Sequence, residues 1–78
     1  MIAEQMFVDL GYRCFKYSNN TFYQHDTEAS LEFDKTRKEL IILSGKTGQH
    51  NLNQKQLLAI AKQMEELGWF DEKMEVEE

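Results

Sequence analysis

The stretch from residue 12 to residue 43 contains four strand patterns separated by three short polar turns, and this feature limits the possible fold most. The turns lie at residues 18–20, 26–28 and 35–38 and are rich in asparagine, aspartate, serine, threonine and lysine. Asparagine and aspartate favour turns because their side chains bond to nearby backbone groups. Connections this short join neighbouring strands in antiparallel order. The sequence therefore predicts an antiparallel meander of three to four strands.

Two of these patterns also indicate burial. In the third pattern, Ala29, Leu31 and Phe33 alternate with polar residues, which is typical of a strand with one buried face. The fourth pattern is the continuous apolar run at residues 40–43, and it predicts an interior strand or one covered on both faces. Charged residues interleave with apolar ones along the strands, which indicates that one face of the sheet is bare. They are Arg13, Lys16, Glu32 and Asp34.

A helix is predicted on each side of the strands. The first, residues 2–10, ends at Leu10-Gly11-Tyr12, and the second ends at Leu67-Gly68-Trp69. Glycine readily adopts the left-handed conformation that ends a helix, so we expect the two ends to share one capping geometry. Asn53 and Gln56 have the spacing of a capping box at the start of the second helix. The predicted buried stripe of this helix is Leu57, Ile60, Ala61, Met64 and Leu67, widened by Leu58.

Together these patterns predict an α+β fold of order α-β-β-β-β-α, with both helices packed on one face of the sheet. Residues 1–70 are expected to form one domain, and residues 71–78 are expected to be an acidic, frayed tail. The only cysteine is Cys14, so no intrachain disulfide is possible, and no apolar run is long enough to span a membrane. A cytoplasmic protein without membrane contact is expected.

Candidate catalytic, cofactor and metal sites are all weak. Gly45-Lys46-Thr47 lacks the earlier glycine of a phosphate-binding loop, because Leu40 occupies that position. Cys14, His25 and His50 match no zinc spacing. Glu32 and Asp34 lie about 7 Å apart on one strand face, which suits either a pair of catalytic acids or a solvated surface. We therefore expect no catalysis, no cofactor and no metal.

The distribution of charge is more informative. The net charge of −5 is confined to residues 62–78, because the first 61 residues contain seven acidic and seven basic side chains. This acidity indicates either a solvated helix face or a surface that docks on a basic patch of a partner protein. The partner-binding candidates are Glu65, Glu66, Trp69, Asp71 and Glu72.

The strands are also rich in aromatic residues, which permits an alternative function. An aromatic sheet face can stack single-stranded bases or bind a small ligand, with Tyr17 and Tyr23 as the first candidates. The acidic balance of the chain makes nucleic acid the less favoured partner. Association into a homodimer through an unassigned sheet edge is left open.

The Leu10-Gly11-Tyr12 helix end, the strand residues 31–35 and the helix end at residues 66–69 together resemble a group of small proteins from phages and prophages of Gram-positive bacteria. The resemblance extends from about Glu4 to Trp69. Some similar small acidic phage proteins, including certain anti-CRISPR proteins, bind a bacterial protein and block it. The resemblance thus implies a phage setting and a host protein as partner, but it identifies no catalytic residue.

Overall fold

A computed structural model of the protein describes residues 1–46, 48 and 50–70. In chain order, its elements are helix α1 (Ala3–Asp9), strands β1 (Arg13–Lys16), β2 (Asn20–Gln24), β3 (Ser30–Asp34) and β4 (Glu39–Leu43), and helix α2 (Gln54–Glu66). The strands form one antiparallel sheet in the order β1-β2-β3-β4. The predicted α+β fold, with four strands between two helices, is confirmed.

The strand register separates the residues of the sheet into two faces. One face, which we call the covered face, packs against the helices and includes Tyr23, Leu31 and Phe33. The ring of Phe7 from α1 stacks on Tyr23 with centroids 4.0 Å apart. Trp69, just after α2, packs on Phe33 with centroids 6.0 Å apart. Aromatic contacts of this kind join the two layers, and they supply the centre of the core.

The opposite face, which we call the open face, carries Phe15, Phe22, Glu32 and Ile41 in one row across the four strands. The prediction of a mixed polar and apolar open face is correct for Glu32, but it is wrong for Lys16. Lys16 pairs with the buried Thr21 on the covered face. Its ammonium group lies 3.0 Å from the Glu4 carboxylate of α1, so it joins the helix to the edge of the sheet.

The two helices end with the same backbone geometry, as the repeated Leu-Gly-aromatic triplets predict. Gly11 has φ of 97° and Gly68 has φ of 77°, both in the left-handed region. The amide of Tyr12 donates to the carbonyl of Phe7, and the amide of Trp69 donates to that of Met64. Each end thus satisfies the last helical carbonyls and directs the following aromatic ring into the core.

The prediction for the apolar run at residues 40–43 is wrong. β4 pairs only with β3 and lies at the edge of the sheet. Ile41, Ile42 and Leu43 are each more than a third exposed. An uninterrupted apolar run predicts burial on both faces, but neither helix of the described chain packs extensively against β4. The run therefore gives this edge an apolar surface.

The buried stripe of α2 is also different from the predicted one. The fully buried residues are Gln56, Ala59, Ile60 and Gln63, and only Ile60 was predicted. Met64 and Leu67 are partly buried against the core, as expected. Leu57, Leu58 and Ala61 are exposed. The helix is rotated because its two glutamines find hydrogen-bond partners in the core, which hydrophobic periodicity does not anticipate.

Among the residues that the structure describes, no helix combines the length and the apolar character that crossing a membrane requires.

Candidate protein-binding surface

The inner side of α2 is held to the sheet by hydrogen bonds between tyrosines and glutamines. The Gln56 side chain donates to the hydroxyl oxygen of Tyr12 at 2.8 Å, and that hydroxyl donates to the carbonyl of Ala29 at 2.7 Å. The Gln56 side chain also accepts from the amide of Asn53, which completes the predicted capping box. One glutamine therefore caps α2 and attaches its first turn to the sheet.

The second tyrosine–glutamine pair lies two helical turns later. The hydroxyl of Tyr23 donates to the side-chain oxygen of Gln63. Burial raises the pKa of Tyr23 far above its ordinary value. Burial also raises the pKa of Tyr12, while the hydrogen bond from Gln56 opposes that shift. Both phenols therefore stay protonated and continue to donate across the neutral range.

Glu66, one of the predicted partner-binding acids, has a structural contact. Its carboxylate accepts a hydrogen bond of 2.8 Å from the backbone amide of Ala3, the first residue of α1. The N-cap residue Ile2 supplies no side-chain cap. A carboxylate at a helix N-terminus satisfies a free amide and interacts favourably with the helix dipole. Glu66 thus joins the end of α2 to the beginning of α1.

The other predicted partner-binding residues differ in their exposure and in their contacts. Glu65 is exposed and lies 3.4 Å from the Lys62 ammonium. Trp69 is partly buried against Phe33, so its ring belongs mainly to the core. Asp71 and Glu72 lie outside the described residues. Of the five candidates, the structure therefore presents Glu65 on the surface, and it gives Glu66 and Trp69 contacts within the fold.

An apolar groove runs along the outer side of the two helices, next to Glu65. Its two connected parts share Met6 of α1 and Leu58 of α2. Leu58 is 55% exposed and Phe70, at one end, is 56% exposed. We call this the outer groove, and it is lined by Met1, Met6, Asp9, Leu10, Lys55, Leu58, Ala61, Lys62, Glu65 and Phe70. These exposed apolar side chains make the outer groove the candidate contact surface of the described residues.

The charges around the outer groove are not uniform. Lys55 and Asp9 lie at the end near Met1. At the other end, Lys62 forms its ion pair with Glu65 beside Phe70. The chain continues from Phe70 into residues 71–78, which contain five acidic residues and one lysine. The Phe70 end of the outer groove is therefore attached to the most acidic part of the sequence.

The aromatic face predicted from the sequence is not assembled as expected. Tyr23 is only 1% exposed and its hydroxyl is bonded inside the core, so its assignment as a base-stacking residue is wrong. Tyr17 is exposed, but it follows β1 rather than lying beside Tyr23. The rings that share the open face are Phe15 and Phe22, whose centroids are 6.2 Å apart. Because side chains alternate along a strand, these rings lie on the face of the sheet that is opposite to the face of Tyr23.

The open face also carries acidic groups with structural contacts. The Glu32 carboxylate accepts a hydrogen bond from the side-chain amide of Asn20. The Asp34 carboxylate accepts from the backbone amides of Thr36 and Arg37, which shapes the β3–β4 turn. These carboxylates stabilise the strands and the turn, and their negative charge disfavours a phosphate backbone on this face.

His25 joins the β2–β3 turn to the end of α1. Its Nδ1 accepts hydrogen bonds from the backbone amides of Thr27 and Glu28, so Nε2 carries the proton and donates to the carbonyl of Leu10 at 3.1 Å. A side chain at Gly11 would collide with this ring. The imidazole is therefore used to hold two backbone segments together.

The loop around Gly45 has a similar structural explanation. A Cβ atom on Gly45 would collide with the carbonyl oxygen of Thr27, and the amide of Lys46 donates to that same oxygen at 3.0 Å. Glycine is needed here because two backbone segments approach closely. Burial raises the pKa of the Cys14 thiol, so it stays protonated at neutral pH. The described residues contain no group of three potential metal-ligating side chains.

Sequence reasoning missed the outer groove and both tyrosine–glutamine bonds. No sequence signal reveals the groove, because Leu58 is left exposed only when Gln56 and Gln63 occupy the buried side of α2. No sequence signal pairs Tyr12 with Gln56, because the two residues meet only when the helix packs on the sheet.

The fold and its outer groove define a small α+β protein in which two helices cover one face of a four-stranded meander. No protein-family model, curated protein or solved structure matches this chain.

Proposed function

We propose that this protein is a non-catalytic binding module whose outer groove receives an amphipathic, basic helical segment of another protein. The observation that carries the proposal is the exposed apolar outer side of the helix pair, lined by Met6, Leu58 and Phe70. A groove between two helices accepts the apolar side of a third helix in the way that many peptide-binding domains do.

The described lining of the outer groove balances two acidic residues with two lysines, and the support for a basic partner comes from the acidic sequence that follows Phe70. Glu65 is exposed on the rim, and the acidic residues 71–78 follow directly after Phe70. Lysines and arginines beside the apolar residues of the partner would lie toward this acidic end. Complementary charge of this kind speeds association and fixes orientation more than it adds affinity.

The positions of the reactive side chains support binding rather than catalysis. Both buried tyrosines are engaged with glutamines, and Glu66 caps α1. His25 uses both ring nitrogens to hold backbone groups. These side chains stabilise the fold, whereas Leu58 and Phe70 of the outer groove are more than half exposed.

The resemblance to small phage and prophage proteins of Gram-positive bacteria supports a biological setting for this module. In that setting, the protein would act in the bacterial cytoplasm and occlude a host protein, as similar anti-CRISPR proteins do. The proposed partner is a host protein that presents a basic helix, a type of segment common where proteins contact nucleic acid.

The experiment compares two adjacent leucines of α2. Leu58→Lys changes the outer groove, whereas Leu57→Lys changes a residue that is 52% exposed but does not line it. The tagged wild-type protein and both variants are incubated with nuclease-treated Gram-positive lysate, and captured proteins are identified by mass spectrometry. We expect a partner held by the wild type and by Leu57→Lys, with affinity for Leu58→Lys reduced about tenfold or more.

A Glu65→Lys variant then tests the orientation of the partner. Its binding should weaken at low salt and approach that of the wild type at high salt, because exposed charge pairs are screened. Equal capture by the Leu57→Lys and Leu58→Lys variants, both folded by circular dichroism, would contradict the outer groove as the binding site. Proteins that are captured from an untreated lysate but lost after nuclease treatment would instead indicate nucleic-acid binding.

A further inference from the structure

The exposed edge at β4 is a second surface, separate from the outer groove. The other edge of the sheet, β1, is flanked by α1 and carries two ion pairs, Lys16 with Glu4 and Arg13 with Asp26. β4 has no comparable cover among the described residues. Its backbone amides and carbonyls on the side away from β3 therefore face outward.

Apart from Glu39 at its first position, β4 lacks the features by which proteins normally protect a sheet edge. The chain contains no proline. Residues 40–43 carry no charge, and Ile42 and Leu43 are 37% and 41% exposed. Lysine, proline, strand bulges or a covering element usually prevent an edge from pairing with another strand. An apolar, unprotected edge is therefore available for strand pairing.

The sequence of this edge indicates which strand fits it. The run at residues 40–43 is entirely aliphatic. When two copies lie antiparallel with the two Ile41 residues opposite each other, Leu40 of each copy faces Ile42 of the other, and Glu39 faces Leu43 at the two ends of the pairing. Aliphatic residues then meet on both faces of the sheet, and cross-strand pairs of this kind are favourable.

We propose that two copies of this chain associate by antiparallel pairing of β4 with β4, which joins their sheets into one of eight strands. A two-fold axis perpendicular to the sheet places both helix layers on the same side. In this register, the row of Phe15, Phe22, Glu32 and Ile41 on the open face continues from one copy into the next.

The described part of the chain leaves this edge uncovered. After Leu43 it turns back across the sheet, where the amide of Lys46 donates to the carbonyl of Thr27 in the β2–β3 turn. Residues 44–46 are thereby directed away from the approaching copy. Pairing through one short strand buries less surface than the ~1,200 Å² of a standard interface. We therefore expect reversible, concentration-dependent association.

The test is sedimentation velocity of the full chain from about 10 µM to about 1 mM, together with amide hydrogen exchange at both ends of this range. The wild type should approach twice the monomer mass at the highest concentration. Exchange of alternate β4 amides should slow about tenfold or more as the dimer forms. A lysine at the edge should prevent pairing, so Ile41→Lys should stay monomeric.

Leu58→Lys, which removes an apolar side chain that is more exposed than Ile41 (55% against 37%) from the outer groove, is the control and should still dimerise. A wild type that stays monomeric at about 1 mM would overturn the proposal. So would a dimer whose β4 amides exchange as fast as in the monomer, and this readout does not depend on the folding of any variant. Loss of the dimer in Leu58→Lys alone would place the contact on the helices and also overturn it.

Discussion

The inner and outer sides of α2 each contain residues that an ordinary amphipathic helix would place on the other side. The inner side buries two glutamines, Gln56 and Gln63, while the outer surface exposes Leu57 and Leu58. Amphipathic helices of globular proteins normally bury their leucines and expose their glutamines. The comparison separates residues that stabilise the fold from residues that are free to contact a partner.

The unusual residues on the two sides of the helix have different physical explanations. The buried glutamines are tolerated because each forms a hydrogen bond with a tyrosine of the core, and a satisfied buried polar group carries little penalty. The exposed leucines contribute little to the stability of the fold because each is more than half exposed. If the account is correct, substitutions on the inner side should change stability, and substitutions on the outer side should change binding.

The largest difference is expected between Ile60→Ala and Leu58→Ala. Ile60 is buried at the core, so its truncation should lower the free energy of unfolding by about 2–5 kcal/mol. Leu58 is more than half exposed, so its truncation should cost less than ~1 kcal/mol. Urea denaturation followed by circular dichroism measures both values. Similar losses for the two variants would remove the distinction between the two sides.

A smaller effect is expected from breaking one tyrosine–glutamine bond. Gln63→Leu leaves the buried Tyr23 hydroxyl without its acceptor and should cost about 1–3 kcal/mol. Adding Tyr23→Phe removes the other partner and should restore part of that loss. A double-mutant cycle from denaturation curves gives the coupling energy. Strictly additive losses would show that the bond does not connect the two layers.

The raised tyrosine pKa values predict a loss of stability at alkaline pH. Above the ordinary tyrosine pKa of 10.0, the unfolded chain releases phenolic protons that the folded chain retains at Tyr12 and Tyr23. The stability contributed by Tyr23 is therefore complete below this pH and should fall by up to about 1.4 kcal/mol per pH unit above it, and Tyr12 should act in the same direction. Denaturation midpoints between about pH 9 and pH 11 measure the slope. Tyr23→Phe should show a shallower slope, and an unchanged slope would contradict the assignment.

The smallest expected effect compares the neighbouring acids Glu65 and Glu66. Glu66→Ala removes the carboxylate that caps α1 and should cost about 1 kcal/mol. Glu65→Ala removes only an exposed pair with Lys62 and should change stability by less than ~0.5 kcal/mol. Thermal or urea unfolding of the two variants checks this difference. Equal values would show that the contact of Glu66 with Ala3 is unimportant.

The order of the elements and the helix ends could be predicted from the sequence because their causes are local. Glycine at residues 11 and 68 and the capping residues Asn53 and Gln56 act within one or two turns of chain. The alternation of Leu31 and Phe33 also gave the buried side of β3 correctly. Local steric and hydrogen-bonding rules are sufficient for such features.

The candidate surfaces could not be predicted in the same way because they depend on contacts distant in sequence. Gln63 is buried because Tyr23, 40 residues earlier, meets it across the core. The rotation of α2 that follows exposes Leu57 and Leu58, which periodicity assigned to the core. The apolar run of β4 predicts burial, yet the sheet order places it at an edge. Of the two acidic candidates that the structure describes, both are exposed, but Glu65 lines the outer groove whereas Glu66 caps α1.

The measurement that tests the central claim most directly is a nitrogen–proton NMR titration of the protein with a synthetic helical peptide. The peptide carries leucine on one side and lysine on the other, and a scrambled peptide of the same composition is the control. The account predicts shift changes concentrated at Met6, Leu58 and Ala61, with little change at Phe15 and Phe22 of the open face. Changes centred on the open face, or equal changes with the scrambled peptide, would contradict it.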